Sequence, residues 1–304
     1  MRALLVANPA ATTTTTRARE VIARALASDL KIDTVSTEGR GHAAELARQA
    51  RADGVDVVVV LGGDGTVNEA VNGLLADGPI GAGPALAVVP GGSTNVFARA
   101  LGLPGEPVEA TGQLLEALRE GRRRRVSLGR VDGRWFTFTA GIGLDAAVVE
   151  RVEAARAAGT VSTPALYIRS AVRELSGRNG VPLTLEQPGR DPVEGLRLAV
   201  VANTRPWTYL GRRPIDPYPE AALDAGLAVF GLRSVRPLPV ARTAAQLLSG
   251  RRPPHGRQVI TVGNVSRVTL TAYSDVPLQV DGDYVGRSRR FVVESVLAAL
   301  PVLT

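Results

Sequence analysis

Two glycine-rich turns carry the residues of this sequence whose types and spacing could do chemistry. The first, Gly62-Gly63-Asp64-Gly65-Thr66, follows the unbroken apolar run 57–61 and precedes a helix predicted over 67–75. A strand, a glycine turn and a helix N-terminus together form an anion site, because exposed N–H groups and the helix dipole both favour phosphate. An acid would repel phosphate there, so Asp64 would serve to hold Mg²⁺, directly or through water, or to handle a proton.

The alternative for this turn is a plain tight turn whose Asp64 caps the helix. A second junction of the same kind favours the functional interpretation. The apolar run 85–89 is followed by Pro90-Gly91-Gly92-Ser93-Thr94-Asn95 and by a helix predicted over 96–101. Two such junctions in one domain predict a nucleotide site at the carboxyl ends of a parallel sheet.

A third candidate is Asp281, which ends a strand with the alternating apolar residues Val276, Leu278 and Val280. Gly282 follows it, and Asp-Gly after an alternating strand is a common hairpin turn. From these residues alone, the hairpin interpretation is favoured over a catalytic one.

Composition excludes several kinds of site. The chain of 304 residues has no cysteine, so it has neither disulfides nor thiolate chemistry, and its only two histidines do not favour a zinc cluster or a histidine triad. Lys31 is the only lysine, so the phosphate-binding lysine of a P-loop is excluded. Although the net charge is +7, heavy arginine use across the chain reduces the weight that we give to this basicity.

The elements that must position these residues form two predicted domains. Alternating strands and helices to about residue 121 predict a doubly wound, mainly parallel α/β sheet, and the short strands after it predict an antiparallel β-sandwich. We therefore predict a nucleotide-binding α/β domain over 1–124, a substrate domain over 125–295, and a C-terminal segment over 296–304. The arginine run 122–125 is either a solvated linker or a contact for lipid phosphates.

The segments GGDGTVNEAVNGL, VVPGGSTNVFARALGLP and QVDGD resemble the diacylglycerol kinase catalytic family, which includes bacterial diacylglycerol kinases and the related sphingosine kinases. The resemblance covers nearly the whole chain. It implies an NAD-kinase-like nucleotide domain and transfer of phosphate from ATP, with Mg²⁺, to a lipid alcohol. It also implies that the C-terminal segment packs back toward the first domain.

The resemblance makes Asp281 the general base, with Asp64 organising metal or water. Asn68 and Glu69 either contact the nucleotide or orient the first turn of their helix, and Asp283 stands where the family has Glu. The residues assigned in this way to the nucleotide are Asn8, Thr12, Thr37, Gly62, Gly63, Asp64, Gly65, Thr66, Asn68, Glu69, Gly92, Ser93 and Asp283.

Two departures concern a structural Mg²⁺ site of the family. Val96 and Ala225 stand where many bacterial members have acids, and a hard cation needs oxygen ligands. The resemblance therefore implies a second metal site that is absent or differently held, by Asp64 with neighbouring Asp224.

The sequence thus predicts an ATP-dependent lipid kinase, with diacylglycerol as the leading substrate. Sphingosine, ceramide or another lipid alcohol stays open, as do an NAD kinase and a non-catalytic homologue that binds lipid or nucleotide. No apolar run approaches the length of a membrane span, so we expect a cytoplasmic protein that visits the inner face of the membrane and binds no nucleic acid. A homodimer is one open alternative for its oligomeric state.

Overall fold

The computed structural model describes residues 1–11, 15–160, 163–176, 180–211, 213–218 and 221–304. The helices are α1 Thr16–Leu26, α2 His42–Ala52, α3 Asp64–Leu74, α4 Val96–Ala100, α5 Pro107–Glu120, α6 Leu144–Ala157, α7 Pro164–Ser176 and α8 Pro237–Ser249. The strands are β1 Arg2–Ala7, β2 Lys31–Ser36, β3 Val57–Gly62, β4 Ala85–Pro90, β5 Arg123–Val131, β6 Arg134–Phe136, β7 Thr139–Gly143, β8 Leu183–Glu186, β9 Val193–Leu196, β10 Leu198–Ala202, β11 Thr208–Leu210, β12 Arg213–Ile215, β13 Leu227–Leu232, β14 Val259–Val265, β15 Arg267–Val280 and β16 Asp283–Leu303.

The chain divides into two compact units. Unit 1 comprises residues 1–128 and 296–304, and unit 2 comprises residues 129–295. The first boundary lies four residues beyond the predicted one at 124/125, because β5 begins at Arg123 and carries the chain across it as a continuous strand.

Unit 1 is built on a parallel sheet with the strand order β2-β1-β3-β4. Every residue of β3 and β4 is buried, as expected for strands covered on both faces. Helices α2 and α3 pack so closely that a Cβ atom on Gly73 would lie 2.0 Å from the carbonyl oxygen of Ala44. The predicted mainly parallel α/β architecture is confirmed.

The last residues of the chain belong to unit 1. Val302 of β16 pairs in parallel with Leu86 of β4, and the N–H of Ile80 donates to the carbonyl of Ala299. The arginine run is partly structural: Arg125 donates to the carbonyls of Ile80, Gly81 and Ala298, and Arg122 donates to that of Thr304. The guanidinium of Arg125 therefore fixes the C-terminal segment, and its hydrogen-bond donors are already used within unit 1 instead of facing lipid phosphate.

Unit 2 is rich in antiparallel strands, as predicted. Its strands pair in the order β14-β13-β10-β7-β15, with the first part of β16 beside β15. The long strand β15 is irregular between Thr271 and Val276, so that its first part pairs with β8 and its last part with β7. A continuous apolar core, including Phe136, Leu270 and Phe291, lies within this unit.

Several elements of unit 2 differ from the sequence prediction. The sequence predicts a single strand over 134–140, which the structure divides into β6 and β7, and the sequence does not predict β9, β11, β12 or α8. Two prolines at positions 237 and 239 look like a turn, yet proline is favoured in the first turn of a helix, where its missing N–H costs nothing. Among the described residues, no helix is long and apolar enough to cross a bilayer.

Candidate active site

The two predicted glycine junctions lie side by side in unit 1. Gly62 pairs with Pro90 at the ends of β3 and β4, and the N–H of Gly91 donates to the carbonyl of Gly62 at 2.8 Å. A Cβ atom on Gly92 would lie 2.7 Å from the Cα of Gly63, closer than real Cβ atoms come to backbone. Glycine is therefore required at this contact because the two main chains touch.

Asp64 joins the two junctions. It is the first residue of α3, and its two carboxylate oxygens accept hydrogen bonds from the N–H groups of Val96 at 3.0 Å and Phe97 at 3.2 Å, at the start of α4. The carboxylate thus satisfies two N–H groups that lack a partner within their own short helix. This contact was not predicted, and it uses the backbone of Val96 rather than its side chain.

Asn8 and Thr66 interlock beneath the first junction. The side-chain amide of Asn8 donates to the hydroxyl of Thr66 at 2.9 Å, and its own N–H donates to the carbonyl of Leu61. A Cβ atom on Gly62 would lie 2.9 Å from Thr66, so that glycine leaves room for this hydroxyl. The structure therefore brings together two of the residues assigned to the nucleotide.

Glu69 and Asn68 make orienting contacts within unit 1. Glu69 accepts a hydrogen bond at 2.8 Å from the N–H of Gly41, at the start of α2, and buried Asn68 accepts from the side chain of Asn72.

Two further residues assigned to the nucleotide lie after a strand and in a turn. Thr37 follows β2, and its N–H donates to the carbonyl of Ala7. Ser93 is exposed beside Gly92. Thr12 lies outside the described residues.

The N-terminus of α3 is the feature of this cluster best suited to an anion. The first N–H groups of an α-helix have no acceptor within the helix, and the helix dipole favours negative charge there. In α3 these groups belong to Asp64, Gly65 and Thr66, and neither Gly63 nor Gly65 carries a side chain to cover them. The arrangement can hold phosphate oxygens with main-chain donors, without lysine.

In unit 2, Asp281 occupies the hairpin turn that the residues alone favour. Asp281 and Gly282 connect β15 to β16, and both have positive φ, 49° and 84°, as a two-residue type I′ turn requires. The side chain does not point to solvent, however, because Asp281 is only 5% exposed. A hairpin turn does not require the side chain of its Asp to be buried, so the turn alone does not explain why this carboxylate points inward.

Four hydrogen bonds converge on the Asp281 carboxylate. One oxygen accepts from the N–H and the hydroxyl of Thr137, at 2.7 and 2.8 Å, and the other accepts from the N–H groups of Phe138 and Thr139, both at 3.0 Å. A carboxylate offers about four lone-pair sites, so these donors fill them. Burial raises the pKa of Asp281 above its ordinary value, and the hydrogen bonds from this segment lower the pKa by less.

Asn203 holds the same segment from the neighbouring strand. It is fully buried after β10, its N–H donates to the carbonyl of Phe138 at 2.8 Å, and its side chain donates to the carbonyl of Thr137 at 3.0 Å. The segment that binds Asp281 is therefore fixed on both sides. Sequence reasoning missed Asn203, although a polar pair, Asn203-Thr204, directly after the apolar run of β10 was a signal.

Asp145 and Gln279 extend this cluster and were also missed. Gln279 donates from its side chain to Asp145 at 2.7 Å and accepts from the N–H of Gly282 at 2.8 Å. Burial raises the pKa of Asp145 to about 6, against a smaller lowering by the Gln279 hydrogen bond. Gly141 is required here, since its Cβ would lie 1.8 Å from an oxygen of Asp145. The signal was a third strand–glycine–helix junction, at β7 and α6.

Tyr218 lies near Asp145 and Asp216. It is buried, and its hydroxyl has no hydrogen-bond partner among the described residues. Burial raises the pKa of Tyr218 well above its ordinary value, and the charges of the two acids raise it further. A phenol that stays neutral therefore lies near Asp145, whose own pKa is raised by burial.

The remaining predicted acids, Asp283 and Asp224, are not part of an acidic cluster among the described residues. Asp283 is half-buried at the start of β16, and Asp224 is exposed. Within the ranges that the structure describes, no group of three or more His, Cys, Asp or Glu residues is arranged to hold a metal ion. Each oxygen of Asp64 accepts one N–H group from the start of α4 and keeps a second lone pair, so a Mg²⁺ held by Asp64 and Asp224 stays a prediction.

Comparison with known proteins finds similar domains and chains. The family model for the diacylglycerol kinase catalytic domain matches residues 2–131. The chain is 35% identical to the diacylglycerol kinase of Bacillus subtilis over 150 residues, 47% of this chain and 46% of that protein. It is 26% identical to the diacylglycerol kinase of Staphylococcus carnosus over 269 residues, 88% of this chain and 83% of that protein.

Solved structures show the same fold. A diacylglycerol kinase structure from Bacillus anthracis aligns with a TM-score of 0.71 at 21% identity, over 99% of this chain and 96% of that one. An NAD kinase from Archaeoglobus fulgidus in complex with ATP aligns with a TM-score of 0.54 at 12% identity, over 100% of this chain and 94% of that one. Residues 2–131 therefore match the diacylglycerol kinase catalytic domain, and the chain as a whole is similar in sequence and fold to diacylglycerol kinases.

Proposed function

We propose that this protein is an ATP-dependent lipid kinase that transfers the γ-phosphate of ATP to the hydroxyl of a lipid alcohol, with diacylglycerol as the leading substrate. The match of residues 2–131 to the diacylglycerol kinase catalytic domain supports lipid kinase activity, and relatives from two bacterial genera are named diacylglycerol kinases. The observation that carries the proposal is the contact of the two glycine junctions at the N-terminus of α3, which offers main-chain donors for phosphate.

ATP is held by this glycine cluster in the proposal. Gly62, Gly63 and Gly65 leave the main chain open to phosphate oxygens, while Thr66, fixed by Asn8, lines the start of the helix. Gly92 and Ser93 approach from the second junction. Asp64 keeps the two junctions in register through its bonds to α4, a positioning role rather than a metal-binding one.

Magnesium enters the proposal only as the ion that ATP carries. Mg²⁺ prefers phosphate oxygens and water to an all-protein site, and the described residues offer no cluster of acids for it. Binding and orienting the nucleotide are therefore assigned to the main chain and hydroxyl groups of unit 1.

Asp281 is the proposed general base. Its carboxylate is kept from bulk water, and its raised pKa improves it as a proton acceptor. Of the four donors that fill its lone pairs, three are fixed backbone N–H groups, and only the Thr137 hydroxyl can rotate away. We propose that the hydroxyl of the lipid alcohol takes the place of the Thr137 hydroxyl and gives its proton to Asp281 as the phosphate transfers.

A lipid substrate requires contact with a membrane surface, so the proposal includes a cytoplasmic protein that binds the inner face peripherally. The substrate can be identified by incubating the full chain with ATP labelled in the γ-phosphate, a total lipid extract and, separately, NAD. Mass spectrometry of the labelled product should reveal phosphatidic acid. Labelled NADP would indicate an NAD kinase instead, and tight lipid binding with no transfer under any divalent metal would indicate a non-catalytic homologue.

A further inference from the structure

Helix α8 and its flanks form a strongly basic surface in unit 2. Residues 233–258 contain six arginines and no aspartate or glutamate, and all six arginines are exposed. They are Arg233, Arg236, Arg242, Arg251, Arg252 and Arg257. We call residues 233–258 the α8 surface.

None of these six arginines forms an ion pair with a described residue. Elsewhere the structure pairs arginines with acids, as in Arg130 with Glu294 and Arg289 with Asp275. A surface of like charges without acidic partners is repulsive within itself, so an anionic partner would relieve that repulsion.

The outer face of α8 is apolar. Leu238, Ala241, Ala245 and Leu248 lie at i, i+3, i+7 and i+10, on one face of the helix, and all four are exposed. Leu238 is 81% exposed and Leu248 is 42% exposed. The opposite face packs on the unit through Val240 and buried Thr243, so the apolar stripe lies away from that contact.

The basic loop after α8 is fixed to the helix. The side chain of Gln246 donates to the carbonyl of His255 and accepts from its N–H. These bonds hold the loop that contains Arg251 and Arg252 to the last turns of the helix. A helix with exposed leucines and arginines at its borders is typical of a segment that lies in a membrane interface.

We propose that the α8 surface docks on an anionic lipid bilayer, with Leu238 and Leu248 entering the acyl boundary and the arginines meeting lipid phosphates. The apolar stripe favours a bilayer over nucleic acid. The absence of Phe, Tyr and Trp from 233–258 also disfavours a single strand, which stacks its bases on aromatic rings. The proposal rests on the proposed lipid kinase function for its purpose, since docking brings the enzyme to its substrate.

The test measures co-sedimentation of the full chain with vesicles of phosphatidylcholine, alone or in equal parts with phosphatidylglycerol. The wild type should bind the anionic vesicles more tightly, and salt should weaken binding. The variant Arg242→Gln/Arg251→Gln/Arg252→Gln should bind them more than tenfold more weakly, since each arginine near such a surface contributes roughly fivefold. Leu238→Ser should lose about fivefold, as expected for one partly inserted leucine.

Matched controls come from unit 1. Arg17→Gln/Arg24→Gln/Arg48→Gln removes the same charge from exposed positions, and Val108→Ser removes an apolar side chain that is 61% exposed beside Glu106 and Glu109. Both should bind vesicles as the wild type does. Circular dichroism and melting temperature check that each variant is folded.

Equal binding of the wild type to both kinds of vesicle, wild-type binding by the α8 variants, or equal losses in the controls would overturn the proposal. So would tighter binding to a DNA duplex than to vesicles with the same arginine dependence. Activity on dispersed short-chain diacylglycerol separates the two proposals: the α8 variants should keep it. Its absence from the wild type would count against the kinase function while leaving the vesicle result intact.

Discussion

Thr137 donates two hydrogen bonds to a single carboxylate oxygen of Asp281, one from its N–H at 2.7 Å and one from its hydroxyl at 2.8 Å. The two residues are 144 positions apart in the chain, so the fold alone creates this contact. The backbone bond fixes the carboxylate, and the hydroxyl bond can be exchanged. That difference gives Asp281 both a defined position and one site at which a substrate hydroxyl can enter.

Replacing Thr137 with valine removes the exchangeable bond. Because this bond lowers the pKa of Asp281, Thr137→Val should raise that pKa, and the acidic limb of the profile of kcat/KM against pH should move to higher pH. Unfolding stability should fall by roughly 1–3 kcal/mol, as for a buried hydrogen bond to a charged group.

Thr137→Ser is the matched control, since it keeps the hydroxyl and should leave the acidic limb in place. The account would be contradicted if folded Thr137→Val lost stability while the acidic limb of its kcat/KM profile stayed at the wild-type pH. Asp281 would then have only a structural role.

Asp145 should make stability depend on pH. Its pKa is raised from 3.8 when unfolded to about 6 when folded, so the folded state keeps a proton that the unfolded state releases. Its stabilising contribution is complete below about pH 3.8 and is lost as the pH rises through 6. Asp145→Asn keeps the acceptor for Gln279 and should flatten the melting temperature across this range, relative to the wild type.

An equally steep pH dependence in Asp145→Asn would contradict this assignment. Asp77→Asn, at an exposed position of unit 1, should leave the wild-type pH dependence unchanged.

Asp64 should matter for stability even without metal. In Asp64→Asn the amide nitrogen would face one of the two N–H donors at the start of α4, which costs about 1–2 kcal/mol. Chemical denaturation of the nucleotide-free protein, with and without Mg²⁺, measures this loss. The wild type should gain no stability from Mg²⁺; a clear gain that Asp64→Asn abolishes would show that Asp64 holds a metal after all.

Gly92 should tolerate no side chain. Its Cβ would meet the Cα of Gly63 at 2.7 Å, so Gly92→Ala must push the two junctions apart and should weaken ATP binding by at least about tenfold. Gly39→Ala is the control, because a Cβ there meets nothing within 4 Å. Calorimetric titration with ATP compares the two, and equal affinities would exclude the proposed role of this contact.

The parts of the site that could be predicted are formed by residues close together in the sequence. The glycine junctions at β3 and β4 combine a buried strand, a turn and a helix within a few residues, so the local sequence pattern is enough to predict them. The burial of Asp281 could not be predicted, because its donors lie in the distant segment 137–139. Without them, an Asp-Gly turn after an alternating strand is simply a hairpin, and the backbone is indeed that hairpin.

Other features of the structure were not predicted, and each has its own reason in the sequence. Asp145 follows a glycine junction that resembles the first two, but the junction lacks adjacent glycines and its helix begins with leucine. Helix α8 was missed because Pro237 and Pro239 resemble chain breakers, although both lie in its first turn. The hydrogen bonds from α4 to Asp64 could not be predicted, because their donors belong to the other junction.

The most direct measurement is transfer of labelled γ-phosphate from ATP to diacylglycerol in mixed micelles, by the wild type and by Asp281→Asn. In the variant, the new amide meets donors that previously faced an oxygen, so its folding must be verified by circular dichroism and melting temperature. We predict phosphatidic acid from the wild type and at least about a hundredfold lower kcat from folded Asp281→Asn, the range for a lost general base. Near-normal turnover by the folded variant, or no transfer to any lipid by the wild type, would contradict the account.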